Sequence, residues 1–430
     1  MFATFPGRFV FSSIVLFGTL APRFAASAVV PPALPEPTGQ FAVGRVTLHM
    51  SDTARSEPLA KEPRFREFMV DVWYPAQHVE NAAKAPYLDP ALFAEAERVA
   101  NLRYYLRNAI DFLKDDLVQT YALQAVPFSQ ELARAPLLVF SHGGGEMRET
   151  YTAQLVDLAS HGYVVAAITH TYDAAVAVFP DGRLVPHASS RWPRPTTSSI
   201  EGLPPGQEPN RDRMTWWAED IRFVLDMLYR EDSRIEAPFS DHLDPRRIGA
   251  FGHSAGGEAA ARACQLDTRI RACLNQDGLA AGTPYFLDAD GWGMDQPFMV
   301  IARALSTTPP SDEELAKMGM TRTQAEALWT RLHARREAAM RSTGGSYWVE
   351  LEAAVTTHGD FGDLPILQAQ DIEEVERCTE VIDIVRRYTR LFFDATLFGM
   401  QPTFLVDASP SPMVHSVHRY SAAQSATIDR

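Results

Sequence analysis

The stretch RRIGAFGHSAGGEAAARAC, residues 246–264, constrains this chain most. An apolar run ends at Phe251, and an alanine-rich, helix-prone run begins at Ala255. Between them Gly252-His253-Ser254-Ala255-Gly256 fits the pattern Gly-x-Ser-x-Gly. Strand must pass to helix within a few residues here, and glycines allow that bend because they carry no side chain. The bend holds Ser254 in a strained backbone conformation with its hydroxyl exposed. The positive end of the following helix points at it and favours negative charge developing there.

Other runs repeat this strand-then-helix logic. APLLVFSHGGG, YVVAAITH, RRIGAFGHS, RACLNQDG and QPFMVIARA are short and apolar without alternation. Such runs are expected of strands buried on both faces, as in a parallel sheet. TYTAQLVDLASHG and DRMTWWAEDIRFVLDMLYRE fall between them with helical spacing; in the second, Trp217, Ile221, Val224, Leu225 and Leu228 recur on one face. The alternation predicts an α/β fold: a mostly parallel central sheet flanked by helices, with right-handed crossovers. The earlier segment REFMVDVWYPA alternates, with Phe68, Val70, Val72 and Tyr74 on one side. With 46% hydrophobic residues among 430, the chain has enough apolar material for one large core.

The organisation expected is one domain over residues 41–405, with helical insertions at 89–126 and 303–342 as candidate cap segments. A long surface loop is expected at 179–210. Residues 29–40 are proline-rich and read as an extended leader. Residues 406–430 show no periodicity and read as an irregular tail. At the N-terminus, Arg8 precedes an apolar stretch from Phe9 to about Ala21, and Ala26-Ser27-Ala28 supplies small residues for cleavage. That pattern predicts a secretory signal over 1–28, and hence a secreted or periplasmic protein. Its apolar stretch is too short to span a bilayer comfortably. Cys264, Cys273 and Cys378 are too few for a disulfide framework, though one bridge among them is possible.

A serine hydroxyl needs a base to become a nucleophile. Among later histidines, His333 lies in a charged helical segment, and His415 and His418 lie in the tail. His358, in VTTHGDFGD just past a strand, is where a base would reach Ser254. The base needs an acid to fix its tautomer and stabilise the imidazolium. Asp277 ends RACLNQD, the run directly after the nucleophile's helix, and is favoured over Asp295 and Asp312. Charge on a tetrahedral intermediate needs N–H donors. Those expected are the amides of Gly144, with Gly143 as the fallback, and Ala255. The order Ser254, Asp277, His358 is that of the α/β-hydrolases.

These residues together resemble the platelet-activating factor acetylhydrolase family. The resemblance is carried by PLLVFSHGGG…YTAQLVDLASHGYVVAAITH, IGAFGHSAGGEAA…IRACLNQDG, VTTHGDFGDLPIL and REFMVDVWYPA, and spans roughly residues 42–400. It implies an α/β-hydrolase fold with Ser254, Asp277 and His358 as triad and Gly144 and Ala255 as oxyanion donors. It also implies calcium-independent hydrolysis of short or oxidised acyl chains from phospholipids. Gly144 stands where the animal enzymes carry a bulkier apolar residue, so acyl specificity is expected to differ.

The function expected is thus a secreted serine carboxylic-ester hydrolase, acting on a small ester or a phospholipid with at most transient contact with a membrane or lipoprotein surface. A general carboxylesterase or lipase, or a polyester or dienelactone-type hydrolase, is the nearest alternative. A serine peptidase is disfavoured because too little chain precedes Leu137 for a propeller. A non-catalytic binding protein is disfavoured because no part of the triad is missing. No metal or cofactor is expected, since there is no H-E-x-x-H and no close Cys/His group. A net charge of −14 argues against nucleic acid as a partner.

Overall fold

The apolar runs become the centre of one sheet. The computed structural model describes residues 33–89, 106, 118, 120–192, 211–230, 239–278, 295–304, 311–317, 320–341, 343, 345–401 and 411–420. Strands β4 (Ala135–Ser141), β5 (Val164–Thr169), β8 (Leu243–His253), β9 (Ile270–Gln276), β10 (Phe298–Arg303) and β11 (Ser346–Leu351) all run parallel. β1 (Ala42–Ser56) and β2 (Phe65–Ala76) form an antiparallel pair, and β2 joins β5 antiparallel. With β3 (Ala122–Gln124) and β12 (Val414–Tyr420) at the two edges, the order is β12-β11-β10-β9-β8-β4-β5-β2-β1-β3. A two-stranded ribbon, β6 (Val176–Val178) and β7 (Leu184–Pro186), stands apart.

Two apolar layers follow from the faces of these strands. Phe68, Val70, Val72 and Tyr74 of β2 share one core with α2 (Arg211–Leu228) and α3 (Ala255–Leu266). Trp217, Ile221, Val224, Leu225 and Leu228 of α2 are all buried there, as their helical spacing requires. Trp73, on the opposite side of β2, joins the second core with α1 (Thr152–Ser160) and the long α7 (Ile372–Leu397). Between β10 and β11 lie α4 (Asp312–Lys317) and α5 (Arg322–Arg341); α6 (Leu364–Gln368) precedes α7.

Three expectations change. The tail is not irregular throughout: β12 pairs antiparallel with β11. VHSVHRY carries little apolar signal: Val414 and Val417 pack only partly against the core, and His415, His418 and Arg419 are exposed. Residues 122–124, expected as helix, form the edge strand β3, and Leu184–Pro186, expected as loop, pairs with β6. The remainder of the 89–126 segment from residue 90 to 119, apart from 106 and 118, lies outside the described residues. So do residues 193–210 of the expected loop and the expected signal segment. Part of the leader docks: Thr38 donates its N–H to Asp157 Oδ1 at 2.7 Å, and Arg386 donates to the Glu36 carbonyl at 2.8 Å. A disulfide joins Cys264 on α3 to Cys273 on β9, and Cys378 is a buried free thiol.

A buried ion network ties the sheet to α2. Arg66, fully buried on β2, holds Asp220 of α2 through Nη2 at 2.5 Å and Glu57 through Nη1 at 2.6 Å. Arg55 adds a 2.8 Å contact to Asp220. Removing one partner of such a pair strands the other charge, at a cost of about 3–5 kcal/mol. The network reaches the site through His170, whose Nδ1 lies 2.9 Å from Asp220 and whose Nε2 lies 3.0 Å from Ser141 Oγ, at the base of the glycine-rich loop.

Candidate active site

Ser254 sits between β8 and α3 with φ 52° and ψ −123°. Such a conformation costs a non-glycine residue about 1–3 kcal/mol and survives only where its surroundings enforce it. Gly252 and Gly256 make it possible through close approach. A Cβ on Gly256 would lie 2.0 Å from the Ser141 carbonyl oxygen, and one on Gly252 would lie 2.5 Å from that oxygen. Any larger residue would push the bend off the end of β4.

The structure brings the three expected residues together. His358 Nε2 is 3.0 Å from Ser254 Oγ, and His358 Nδ1 is 2.5 Å from Asp277 Oδ2. The sheet order explains the meeting: β9 is the neighbour of β8, so Asp277 at its end lies beside the serine. Asp277 is itself at φ 52° and donates its N–H to the Ile301 carbonyl at 2.7 Å. Arg303, at the end of β10, donates its backbone N–H to Asp277 Oδ1 at 3.1 Å and its Nε–H to Oδ2 at 2.9 Å.

His358 opens a short 3-10 turn, His358–Phe361. Asp360 accepts from the Thr357 N–H at 2.7 Å and from Arg377 of α7, also at 2.7 Å. Asp363, buried, accepts from the Ala153 N–H at 3.2 Å and from the Tyr87 hydroxyl at 3.1 Å. Burial pushes its carboxyl up to about 7. The HGDFGD segment is thereby pinned to α1 and α7.

The rival histidines and acids lie elsewhere. His333 falls on α5. His415 pairs with Glu352, just past the end of β11, and His418 with Ser416 of its own strand. Asp295 is exposed, and Asp312 is 83% exposed and paired with Arg322.

Gly144 and Ala255 are neighbours: a Cβ on Gly144 would lie 3.8 Å from that of Ala255. Neither amide meets an acceptor among the described residues, and Ala255, at the start of α3, has no intrahelical one. The Gly143 N–H is engaged by the Tyr151 hydroxyl at 3.3 Å, which favours Gly144 over its fallback. Beside Gly144 stands Arg213 of α2, its Nη2 3.2 Å from where that Cβ would be. A bulkier residue at 144 would have to displace this guanidinium, which is ion-paired to Asp173 at 2.9 Å.

Burial disfavours charge on His358, but the hydrogen bond to and charge of Asp277, then the charge of Glu146, outweigh it and raise its pKa. Burial would lift Asp277, yet its bond to His358, the charge of His358 and that of Arg303 hold it below the usual carboxylate range. The arrangement can therefore take a proton from Ser254 and stabilise the resulting cation. Sequence reasoning missed Arg303, Arg213, Glu146, Tyr151 and His253. Only His253, inside Gly-x-Ser-x-Gly, carried a local signal.

Comparison with known proteins agrees with this architecture. Residues 28–183 match the family model described as platelet-activating factor acetylhydrolase, isoform II. A probable 1-alkyl-2-acetylglycerophosphocholine esterase of Arthroderma benhamiae is 24% identical over 409 residues, 89% of this chain and 94% of that protein. A platelet-activating factor acetylhydrolase of Canis lupus familiaris is 31% identical over 158 residues, and the match spans only about a third of either chain, 33% here and 34% there. Among solved structures, a ferulic acid esterase from Streptomyces cinnamoneus superposes with a TM-score of 0.65 at 27% identity, covering 91% of this chain and 99% of that one. Fold and relatives together define the class, an ester hydrolase of the α/β-hydrolase fold. Within that class the chain is similar to the platelet-activating factor acetylhydrolase family, the resemblance its motifs led us to expect.

Proposed function

We propose that this chain is an exported serine esterase that removes short acyl groups from glycerophospholipids. The observation that carries the reading is the unbroken hydrogen-bond chain Ser254–His358–Asp277, with two amides beside it that meet no acceptor among the described residues. Ser254 Oγ attacks the ester carbonyl while His358 Nε2 takes its proton. The Gly144 and Ala255 N–H groups hold the oxyanion, and Asp277 keeps the remaining ring proton on Nδ1. His358 then gives its proton to the leaving alcohol. Water, deprotonated by the same nitrogen, releases the acyl group and restores Ser254.

The phospholipid substrate is supported by the name of the Arthroderma relative, which aligns over most of the chain. A general carboxylesterase is the second reading, favoured by the ferulic acid esterase neighbour. A panel of acetylated phospholipid, long-chain phospholipid, triglyceride, feruloyl ester and simple short esters separates them. Acetylated phospholipid is expected to exceed long-chain phospholipid in kcat/KM by about a hundredfold, the scale on which a pocket discriminates by size. A feruloyl or simple ester at the head of the panel would overturn the phospholipid reading in favour of the second.

Export is supported by the residue pattern of 1–28 and by the Cys264–Cys273 disulfide, which is a feature of oxidising compartments. N-terminal sequencing of the mature protein is expected to start just after Ala28. Recovery of the full chain starting at Met1 would sink the idea.

A further inference from the structure

A second polar cluster lies against the base, and none of the roles above uses it. Tyr151 ends the short 3-10 turn Arg148–Tyr151 and is buried. Its hydroxyl donates to Glu146 Oε2 in a short hydrogen bond and accepts the Gly143 N–H at 3.3 Å. His253 Nδ1 lies 2.7 Å from the same hydroxyl and 3.1 Å from Glu146 Oε2. The carboxylate only accepts, and the tyrosine proton already goes to it. The proton between His253 and these oxygens is therefore the Nδ1–H of His253. The other nitrogen, Nε2, is buried and meets no hydrogen-bond partner among the described residues.

His253 carries this cluster to the base. Its ring centroid is 4.5 Å from that of His358 on one side, and it stacks on Phe361 at 5.5 Å. The glycine-rich loop wraps the carboxylate closely, for a Cβ on Gly143 would lie 2.4 Å from Glu146 Oε2. The Glu146 N–H also returns to the Gly143 carbonyl at 3.1 Å.

The charges around His358 give the cluster a purpose. Asp277 faces Nδ1 from the end of β9, Arg303 stands behind it from β10, His253 lies alongside from β8, and Glu146 comes from the glycine-rich loop. Asp277 and Arg303 already form an ion pair at 2.9 Å. A cation formed on His358 is thus shared against one carboxylate that a guanidinium has partly neutralised. The next countercharge is Glu146, one-fifth exposed.

We propose that Glu146 is a positioning residue for ester hydrolysis: through Tyr151 it fixes the glycine-rich loop at Gly143, and across His253 its charge balances the His358 imidazolium. The proposal rests on Ser254 and His358 acting as nucleophile and base. The state of Glu146 agrees with it. Burial pushes its carboxyl up, but the charge of His253, the bond to it and the charge of His358 hold it below the usual range.

The test is the pH dependence of kcat/KM on a short chromogenic ester, which reports the free enzyme's base. Loss of a nearby negative charge makes His358 harder to protonate, so in Glu146→Gln the acid limb moves to lower pH, by about half a unit, while kcat falls about tenfold. Tyr151→Phe keeps the carboxylate and is expected to lower kcat with the limb in place. Glu146→Asp keeps the charge but draws it back by one methylene, and shifts the limb less, in the same direction. If Glu146→Gln does not fold, Glu146→Asp carries the test alone. A limb that stays at its wild-type position in the Glu146 variants overturns the proposal, even if kcat drops, because a purely structural carboxylate would do only that. Full activity in Ser254→Ala would instead strike at the esterase reading beneath it.

Discussion

Ser254→Ala is expected to lower kcat on a short-chain ester by a factor on the order of 10⁶, with thermal unfolding unchanged or slightly raised. The size follows from the nucleophile being the only route to the acyl-enzyme: without Oγ, His358 has no proton to take and the two-step path is closed. Some rate above water should survive, because the amides of Gly144 and Ala255 would still polarise a bound carbonyl. The stability side follows from the backbone. Ser254 is held at φ 52° in either variant, since Gly252 and Gly256 pack on Ser141 whatever stands at 254. The hydroxyl's partner is His358 alone among the described hydrogen bonds, and that ring is 41% exposed, so its loss leaves no buried group stranded. Circular dichroism and an active-site fluorophosphonate label check both halves. A variant that keeps about a tenth of wild-type kcat would remove Ser254 from the chemistry.

The reach of sequence reasoning has a physical limit that these residues make visible. Leu137–Phe140, Val164–Ile168 and Ile248–Phe251 could be read as buried strands because both faces of a central strand demand apolar side chains. Ser254, Asp277 and His358 could be picked out because each follows an apolar run with a glycine within two residues, a local pattern. β12 could not, because an edge strand is stabilised by backbone bonds to β11, and His415, His418 and Arg419 on it are exposed. Glu146, Tyr151 and His253 meet only because the loop after β4 folds back over the end of β8, and no spacing in the chain encodes that. Arg303 is the sharper case. Nothing in QPFMVIARA singles it out, yet it is the residue that grips Asp277 from the neighbouring strand.

Asp277→Asn is expected to lower kcat about 10⁴-fold while leaving KM within a small factor. The substitution preserves shape, and an asparagine oxygen can still accept the Arg303 backbone N–H where Oδ1 does now. The damage is in the proton. An amide NH₂ placed 2.5 Å from His358 Nδ1, where Oδ2 stands, donates instead of accepting, so the ring must carry its proton on Nε2. That N–H then points at Ser254 Oγ and can no longer receive its proton. The remaining activity should show a second mark. Asp277 is the main group raising His358, so without it the imidazole protonates less readily and the acid limb of kcat/KM moves to lower pH. Asp295→Asn and Asp312→Asn serve as controls: one side chain is exposed and the other is 83% exposed, so each should stay within about twofold of wild type. If either control fell as far as Asp277→Asn, the acid would be misassigned. The order of losses also discriminates between the two carboxylates near the base. Asp277 sets the tautomer and supplies charge, whereas Glu146 reaches the His358 ring only across His253 and gives that ring charge but no hydrogen bond. A tautomer error blocks proton transfer outright and a charge deficit only weakens it, so Asp277→Asn must cost far more than Glu146→Gln while both move the limb the same way.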